Sequence, residues 1–311
     1  MHHGAEENRI LAVVTGPTAS GKTALAIELA EHFGTDIISA DSRQIYKDIP
    51  IGTAAPSTEE RSRVFHHLVG VFGLDEYYSA ARFEEDALAI LPSIWAKSDV
   101  AVVCGGSMMY VDALCRGIDS MPTVSDGVRA YVLSLFEAHG LEGVLAQLQI
   151  VDPDYWEEVD RANTRRVVHA LEVSLEAGCP YSSLRTGCAC QRPFKIIKFA
   201  IDRPREELFA RINARVDAMI AEGLEDEARR AFAAGNFNSL NTVGYKELAA
   251  YFAGEMDRGT AIARIGKNTR VYAKKQLTWL RRDNDIIWLE PATAVRQALD
   301  AIDGLRLSQR R

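Results

Sequence analysis

No apolar run in this 311-residue chain approaches the twenty or so residues that a membrane-spanning helix needs. The opening stretch, MHHGAEENR, lacks the apolar core of a secretory signal, and it carries acids where a transit peptide avoids them. Cysteine is scarce and odd in number, five in all, which without an export signal implies reduced thiols in a cytoplasm. Cys188 and Cys190 form a C-x-C pair near Cys179, but no fourth ligand stands at zinc spacing, so free loop thiols are expected. Internal repeats and low-complexity tracts are also missing. The net charge of −7 argues against indiscriminate nucleic-acid binding. The most local absence is of acid. Between Arg258 and Arg282 there is none, while that stretch carries Arg258, Arg264, Lys267, Arg270, Lys274, Lys275, Arg281 and Arg282. A helix with Lys267, Arg270, Lys274 and Arg281 on one face is expected there, with Ile262, Ile265, Tyr272, Leu277 and Leu280 broadly on the other. A solvated basic face is the plain reading, and the length of the run favours contact with a polyanion.

What is present starts with Ile10–Val14, a short β-branched apolar run that reads as a buried parallel strand. It leads into Gly16-Pro17-Thr18-Ala19-Ser20-Gly21-Lys22-Thr23, which fits the phosphate-loop pattern G-x-x-x-x-G-K-[ST] without departure. A helix over 23–33 follows, with Leu25, Leu29 and Phe33 at helical spacing. Gly16 and Gly21 let backbone N–H groups converge on one anion, the helix start adds partial positive charge, Lys22 adds a full one, and Thr23 offers a hydroxyl to Mg2+. A pyrophosphate or triphosphate site is implied, but not the reaction performed there.

A second strand over 36–40 ends on Asp41, beside the phosphate site in an open α/β sheet. A carboxylate there can hold Mg2+ through water, act as a general base, or merely cap a turn. His66-His67 are adjacent and so face different ways, which favours packing over a two-histidine metal site. A helix over 79–95 is capped by Ser79, with Phe83, Ala87, Ile90 and Ile94 as its apolar stripe. A third strand over 100–104 runs into Gly105-Gly106-Ser107 and a helix over 108–115. Ser107 is thereby aimed at the same crevice, with Met108 and Met109 beside it. From 117 the character changes to helices alone, over 128–138, 141–149 and 165–177, then a polar loop over 178–192. A strand over 195–201, two helices within 203–232, a strand over 286–289 and a helix over 292–302 complete the chain. The expected fold is α/β: a phosphate-loop NTPase-like parallel sheet with helices on both faces and an all-helical insertion. The core is assigned to 1–117 and 193–311, the insertion to 118–192.

Taken together, GPTASGKT (16–23), DSRQIY (41–46), IGTAAP (51–56), HHL (66–68), YSAARFEEDA (78–87), GGSMMY (105–110), NTRRVVHALEV (163–173), VGYKEL (243–248) and TRVYAKKQLTWLRR (269–282) resemble the tRNA dimethylallyltransferases, in family order over nearly the whole chain. The resemblance implies transfer of a dimethylallyl group from dimethylallyl diphosphate to the exocyclic amine of an anticodon-loop adenosine, 3′ to the anticodon. It implies Mg2+ as cofactor, with Thr23 as its protein contact, and Lys22, Asp41 and Ser107 as catalytic residues. Asp41 is the expected general base, and Ser107 stands where the family usually has Thr. Contacts to the tRNA anticodon arm are implied for Asp41, Ser42, Arg43, Gln44, Ser107, Arg129, Arg165, Arg166, Val167, Val168, His169, Asn241, Thr242, Val243, Gly244, Tyr245, Lys246, Arg270, Lys274 and Arg281. The helical insertion resembles a mobile domain that closes over the anticodon arm. A cytoplasmic monomer of bacterial type is expected, without membrane attachment and without the zinc module of eukaryotic members. The chain departs from the family at Ala55, where Lys is usual, at His169, where Arg is usual, and at Met108-Met109, where Gly-Leu is usual. A small-molecule kinase, an adenylate isopentenyltransferase and a non-catalytic RNA-binding protein are the rival readings. The insertion, VGYKEL and the basic helix weigh against the first two, and the intact GKT and Asp41 against the third.

Overall fold

The computed structural model describes residues 9–187 and 190–308. Cys188 of the C-x-C pair lies outside the described residues. In chain order the elements are β1 (Ile10–Thr15), α1 (Lys22–Phe33), β2 (Ile37–Ser39), α2 (Thr58–Arg63), β3 (His66–His67), α3 (Ala80–Trp95), β4 (Val100–Gly105) and α4 (Met108–Arg116). There follow α5 (Asp126–Val151), α6 (Pro153–Glu158), α7 (Thr164–Ala177) and α8 (Tyr181–Leu184). The chain then continues through β5 (Lys195–Ile201), α9 (Arg205–Ala221), α10 (Leu224–Ala234), α11 (Tyr245–Phe252), α12 (Arg258–Leu280), β6 (Ile286–Leu289) and α13 (Ala294–Ser308).

The six strands form one parallel sheet in the order β3-β2-β4-β1-β5-β6. β1 is buried along its whole length, as its unbroken apolar run requires. Its side chains alternate between two cores. Leu11 and Val13 join residues of α3, α4 and α9–α12 on one face, and Ile10, Ala12 and Val14 join α1 and α13 on the other. The result is the three-layer α/β architecture. Register brings the C-terminal ends into line: Thr15 pairs with Gly105 and with Ala200, and Ser39 with Cys104. The loops after β1, β2, β4 and β5 therefore emerge together, where open parallel sheets bind their ligands.

The chain divides into two compact units, Met1–Arg116 with Gln191–Arg311, and Gly117–Cys190. The second is helical among its described residues and has its own core of Val132, Val144, Leu148, Tyr155, Val159, Val167, Ala170 and Leu171. α5 is interrupted at Gly140, whose φ of 64° and ψ of −163° are not helical. Asp152 is fully buried and joins α6 to α8, accepting the amides of Tyr155 at 3.0 Å and Ser182 at 2.7 Å.

Several local expectations need correction. The strand expected over 36–40 shortens to Ile37–Ser39, and His66–His67 form a short edge strand that no alternation announced. α6 and α8 are too short for periodicity to reveal. Ser79 does cap α3, accepting Arg82 N–H at 3.2 Å, but Leu91 rather than Ile90 completes the buried stripe. In α12 the buried residues are Ala261, Ile265, Gly266, Ala273, Gln276 and Leu280, so a glutamine takes a core position while Tyr272 stays 40 % exposed.

Candidate active site

The phosphate loop bends as its glycines permit: Gly16 has φ 150° and Gly21 φ 100°, and Ala19 is held at φ 64°, an uncommon conformation for a residue with a Cβ. Within it, Ser20 N–H turns back to Pro17 O at 3.2 Å, and Thr18 N–H donates to Gln276 Oε1 at 3.0 Å. The amides of Ala19, Gly21, Lys22 and Thr23 have no hydrogen-bond partner among the described residues. Four backbone donors thus gather at the start of α1, where the helix dipole adds to them. The Ser20 hydroxyl is fully buried and likewise has no partner among the described residues. The outer carbonyls of the loop are tied down by arginines, Arg211 Nε to Ala19 O at 2.8 Å and Arg203 Nε to Ser20 O at 3.1 Å.

Burial holds the Lys22 ammonium below the ordinary lysine pKa, opposed by the nearby Cys104 and Asp41 and reinforced by Arg215. Arg215 is half-buried on α9, has no hydrogen bond or ion pair among the described residues, and is itself shifted down by burial and by Arg211. Below the loop, the Cys104 thiol is pushed up to about 11, chiefly by burial, with the Lys22 charge and the Thr23 side chain opposing the shift.

Asp41 stands at the end of β2. Its Oδ1 accepts Arg43 N–H at 3.0 Å and Gln44 N–H at 3.3 Å, closing a tight turn. Its other oxygen has no partner among the described residues. Ser107 clamps the same turn: its Oγ accepts Ser42 N–H at 2.8 Å and donates to Ser42 Oγ at 3.1 Å, while its N–H reaches Ala40 O at 3.2 Å. This close approach requires Gly105, because a Cβ there would lie 2.1 Å from Ala40 O. Among the described residues no histidine or carboxylate is hydrogen-bonded to the Ser107 hydroxyl, so none of them activates it as a nucleophile.

Next to Ser42 and Ser107 opens a cavity of about 480 Å³. Its walls carry Tyr46, Tyr77, Tyr78, Tyr110, Tyr272 and Phe237, with Arg43, Met108 and Met109. The Tyr110 and Tyr272 phenols are shifted upward by burial and, among nearby charges, by Asp41, so the carboxylate lies within electrostatic reach of the aromatic wall as well as of Lys22.

With this geometry in view, the comparisons are specific. A family model described as IPP transferase matches residues 44–283. A protein of Parabacteroides distasonis named tRNA dimethylallyltransferase 2 is 52 % identical over 281 residues, covering 90 % of this chain and 94 % of its own. One from Phocaeicola vulgatus named tRNA dimethylallyltransferase 1 is 48 % identical over 295 residues, covering 94 % and 98 %. The chain belongs to this family. Among solved structures, a tRNA isopentenylpyrophosphate transferase from Bacillus halodurans matches with TM-score 0.72 at 29 % identity, covering 97 % of this chain and 98 % of that one. A eukaryotic dimethylallyltransferase acting on tRNA matches with TM-score 0.82 at 25 % identity, covering 96 % and 80 %.

The residues that the family resemblance assigned to RNA separate into two kinds. Arg165, Arg166 and His169 are exposed on α7, Arg129 on α5, and Asn241 and Lys246 beside α11. Lys274 and Arg281 are exposed on and just beyond α12, where Lys274, Lys275, Trp279 and Arg282 line a groove. Val168, Thr242 and Val243 are half-buried. Val167 and Tyr245, by contrast, are fully buried and cannot touch RNA in this structure. Val167 belongs to the core of the helical unit. Tyr245 donates its hydroxyl to Glu227 Oε1 at 2.5 Å, and Glu227 also accepts Ile51 N–H and Gly52 N–H, each at 2.8 Å. Gly244 is buried as the backbone cap of α11. Gln44 is likewise engaged, its Nε2 donating to Thr53 O at 3.2 Å and Ala54 O at 2.9 Å. Arg270 is held by Asn213 Oδ1 at 2.5 Å. The adjacent histidines pack apart, His66 Nδ1 at 2.8 Å from Val64 O and His67 Nε2 at 3.1 Å from Asp36.

Sequence reading missed Arg203, Arg211 and Arg215 around the loop, and Glu227 and Gln276 behind it. The arginines carried a signal: Arg211 and Arg215 stand four apart on the helix that follows β5, next to β1 in the sheet.

Proposed function

We propose that this chain is a tRNA dimethylallyltransferase that moves a dimethylallyl group from dimethylallyl diphosphate to the exocyclic amine of an anticodon-loop adenosine, releasing diphosphate. One observation carries the reading beyond family membership. Asp41 keeps one carboxylate oxygen unbonded within electrostatic reach of Lys22, so a base and an anion cradle share one crevice. A leaving diphosphate in the cradle and an incoming amine at Asp41 is the arrangement that in-line displacement needs.

The four free loop amides, Lys22 and Arg215 would stabilise charge growing on the diphosphate as the allylic C–O bond breaks. The new bond forms between that carbon and the adenine nitrogen, and Asp41 takes the proton that the nitrogen releases. Ser107 and Ser42 fix the Asp41 turn, so Ser107 acts by positioning. The aromatic cavity suits a flat base, which must leave the anticodon stack to enter, and a five-carbon apolar tail. Mg2+, a hard ion, suits this oxygen donor set: the Thr23 hydroxyl would hold it together with diphosphate oxygens and water. When bound, it would offset negative charge on the leaving group. The exposed basic residues of α12 and α7 support an RNA contact. No described helix is long and apolar enough to cross a membrane, and we take the enzyme to work in the cytoplasm as a monomer.

The test is incubation with radiolabelled dimethylallyl diphosphate, Mg2+ and either unmodified tRNA or free AMP. Label in tRNA adenosine alone is expected, without ATP consumption. Label in AMP would make the protein an adenylate isopentenyltransferase, and ADP release coupled to modification would make it a kinase-like enzyme.

A further inference from the structure

Gln276 is 2 % exposed, a buried amide on the packed face of α12 that Ala261, Ile265, Ala273 and Leu280 otherwise form. Both ends of its side chain are spent. Oε1 accepts Thr18 N–H at 3.0 Å, and Nε2 donates to Gly106 O at 2.8 Å. It therefore bridges the first half of the phosphate loop to the turn after β4. The packing there is tight. A Cβ on Gly106 would lie 2.6 Å from Gln276 Nε2, 3.2 Å from Gly16 O and 3.7 Å from Lys22 Cε.

The loop's donors are consequently unequal. Thr18 N–H is taken by Gln276 and Ser20 N–H by Pro17, whereas the amides of Ala19, Gly21, Lys22 and Thr23 have no partner among the described residues. In phosphate loops generally, backbone amides cradle the inner phosphates and the lysine reaches on toward the last one. Here the space beside the Lys22 stem is filled by Gly106 and the Gln276 amide. We propose that Gln276 is a specificity-determining residue: it closes the Thr18 side of the loop, so that the cradle accepts a diphosphate and excludes a third phosphate. This rests on the donor reading above and assigns the selectivity to one side chain.

The experiment is calorimetric titration of the full chain with Mg2+ and either inorganic pyrophosphate or tripolyphosphate, for wild type, Gln276→Ala and Gln276→Met. Thermal unfolding of each variant accompanies it. Wild type should bind pyrophosphate about tenfold or more tighter than tripolyphosphate. Gln276→Ala, which empties the space, should bring the two affinities to within about threefold. Gln276→Met fills the space without hydrogen bonds and should keep most of the discrimination. A residue that merely supports the fold would weaken both anions together and leave their ratio alone. If Gln276→Ala is unfolded, Gln276→Asn, one methylene shorter, must move the ratio the same way. A folded Gln276→Ala or Gln276→Asn with the wild-type ratio overturns the role of Gln276 alone. A wild type that binds neither anion overturns the donor reading and this inference with it.

Discussion

Two stretches carry equally clear family motifs and are built in opposite ways. In Gly16–Thr23 four amides and a hydroxyl have no partner among the described residues, and the Lys22 and Arg215 charges act on each other nearby. In Asn241–Leu248 the polar atoms are consumed internally: Tyr245 on Glu227, Glu247 Oε2 on Gly244 N–H at 2.8 Å, and Glu247 Oε1 on Asn268 at 2.6 Å. An unpaired polar group carries a desolvation cost that a ligand can relieve, whereas a satisfied buried network has nothing left to offer one. The first stretch is therefore left open to a ligand. The second is a strut, with only Asn241 and Lys246 exposed at its edge. The strut still matters to the site, because Glu227 holds the 51–52 backbone, and the neighbouring Thr53 and Ala54 carbonyls hold Gln44 on the Asp41 turn.

The comparison breaks most visibly at Asp41. Asp41→Asn keeps a side-chain oxygen for the Arg43 and Gln44 amides and loses the proton acceptor. Single-turnover prenyl transfer should fall by about 10²- to 10⁴-fold while tRNA affinity, measured separately, holds. A near-normal rate would remove Asp41 from the chemistry, and a prenyl group trapped on Ser107 would replace direct displacement with a covalent route.

Lys22 comes next. Lys22→Ala should lower kcat by about 10²-fold with the fold intact, since it removes charge aimed at the leaving group. Because burial lowers the Lys22 pKa, the ammonium loses its proton at a pH below the ordinary value of 10.5. The kcat/KM for the donor should accordingly fall on the alkaline side before that value is reached. Lys22→Arg, which stays charged throughout, should abolish this limb even if its overall rate is lower. An alkaline limb that survives in Lys22→Arg would assign the titration to another group.

The strut predicts a different signature. Glu227→Gln turns an NH2 toward backbone donors and leaves a buried N–H unpaired, which should cost about 1–3 kcal/mol in denaturant unfolding. Tyr245→Phe should cost less, about 1 kcal/mol. Both should leave the tRNA salt dependence unchanged. A changed salt slope in Tyr245→Phe would mean that the ring reaches RNA in the working enzyme.

How much of this was legible in the sequence follows from where each constraint lies along the chain. The phosphate loop is local: strand, glycines, lysine and helix are contiguous, and backbone sterics dictate the shape. The parallel sheet was legible too, since buried β-branched runs alternate with helical periods. Gln276 was not, because its partner Thr18 is 258 residues away and a glutamine within a basic helix looks solvated. Glu227 lies 176 residues from Ile51, and nothing near it announces burial. Val167 and Tyr245 were misassigned for a related reason. A family stretch includes the residues that pack a functional surface as well as those that form it, and sequence spacing does not distinguish the two.

The smallest expected effect lies on α12. Lys274 is exposed, its ammonium 5.6 Å above the Phe209 ring, and Arg281 is exposed just past the helix end. Neither supports the core, so replacement by alanine should leave stability nearly unchanged. If each meets a phosphate, its loss releases one fewer set of counterions on binding. The slope of log affinity against log salt should then flatten by roughly 0.7 to 0.9 per residue, with several-fold weaker binding near physiological salt. Arg270, already bonded to Asn213, should change the slope less. The difference between these two exposed cations and the bonded Arg270 matters more than either value. A free cation on α12 is available to RNA in the way that the free amides of the phosphate loop are available to diphosphate, and a bonded one is not. If Lys274→Ala, Arg281→Ala and Arg270→Ala all titrate like wild type at every salt concentration, the basic face is merely solvated, and the tRNA must be held by the exposed residues of α5, α7 and the α11 edge instead.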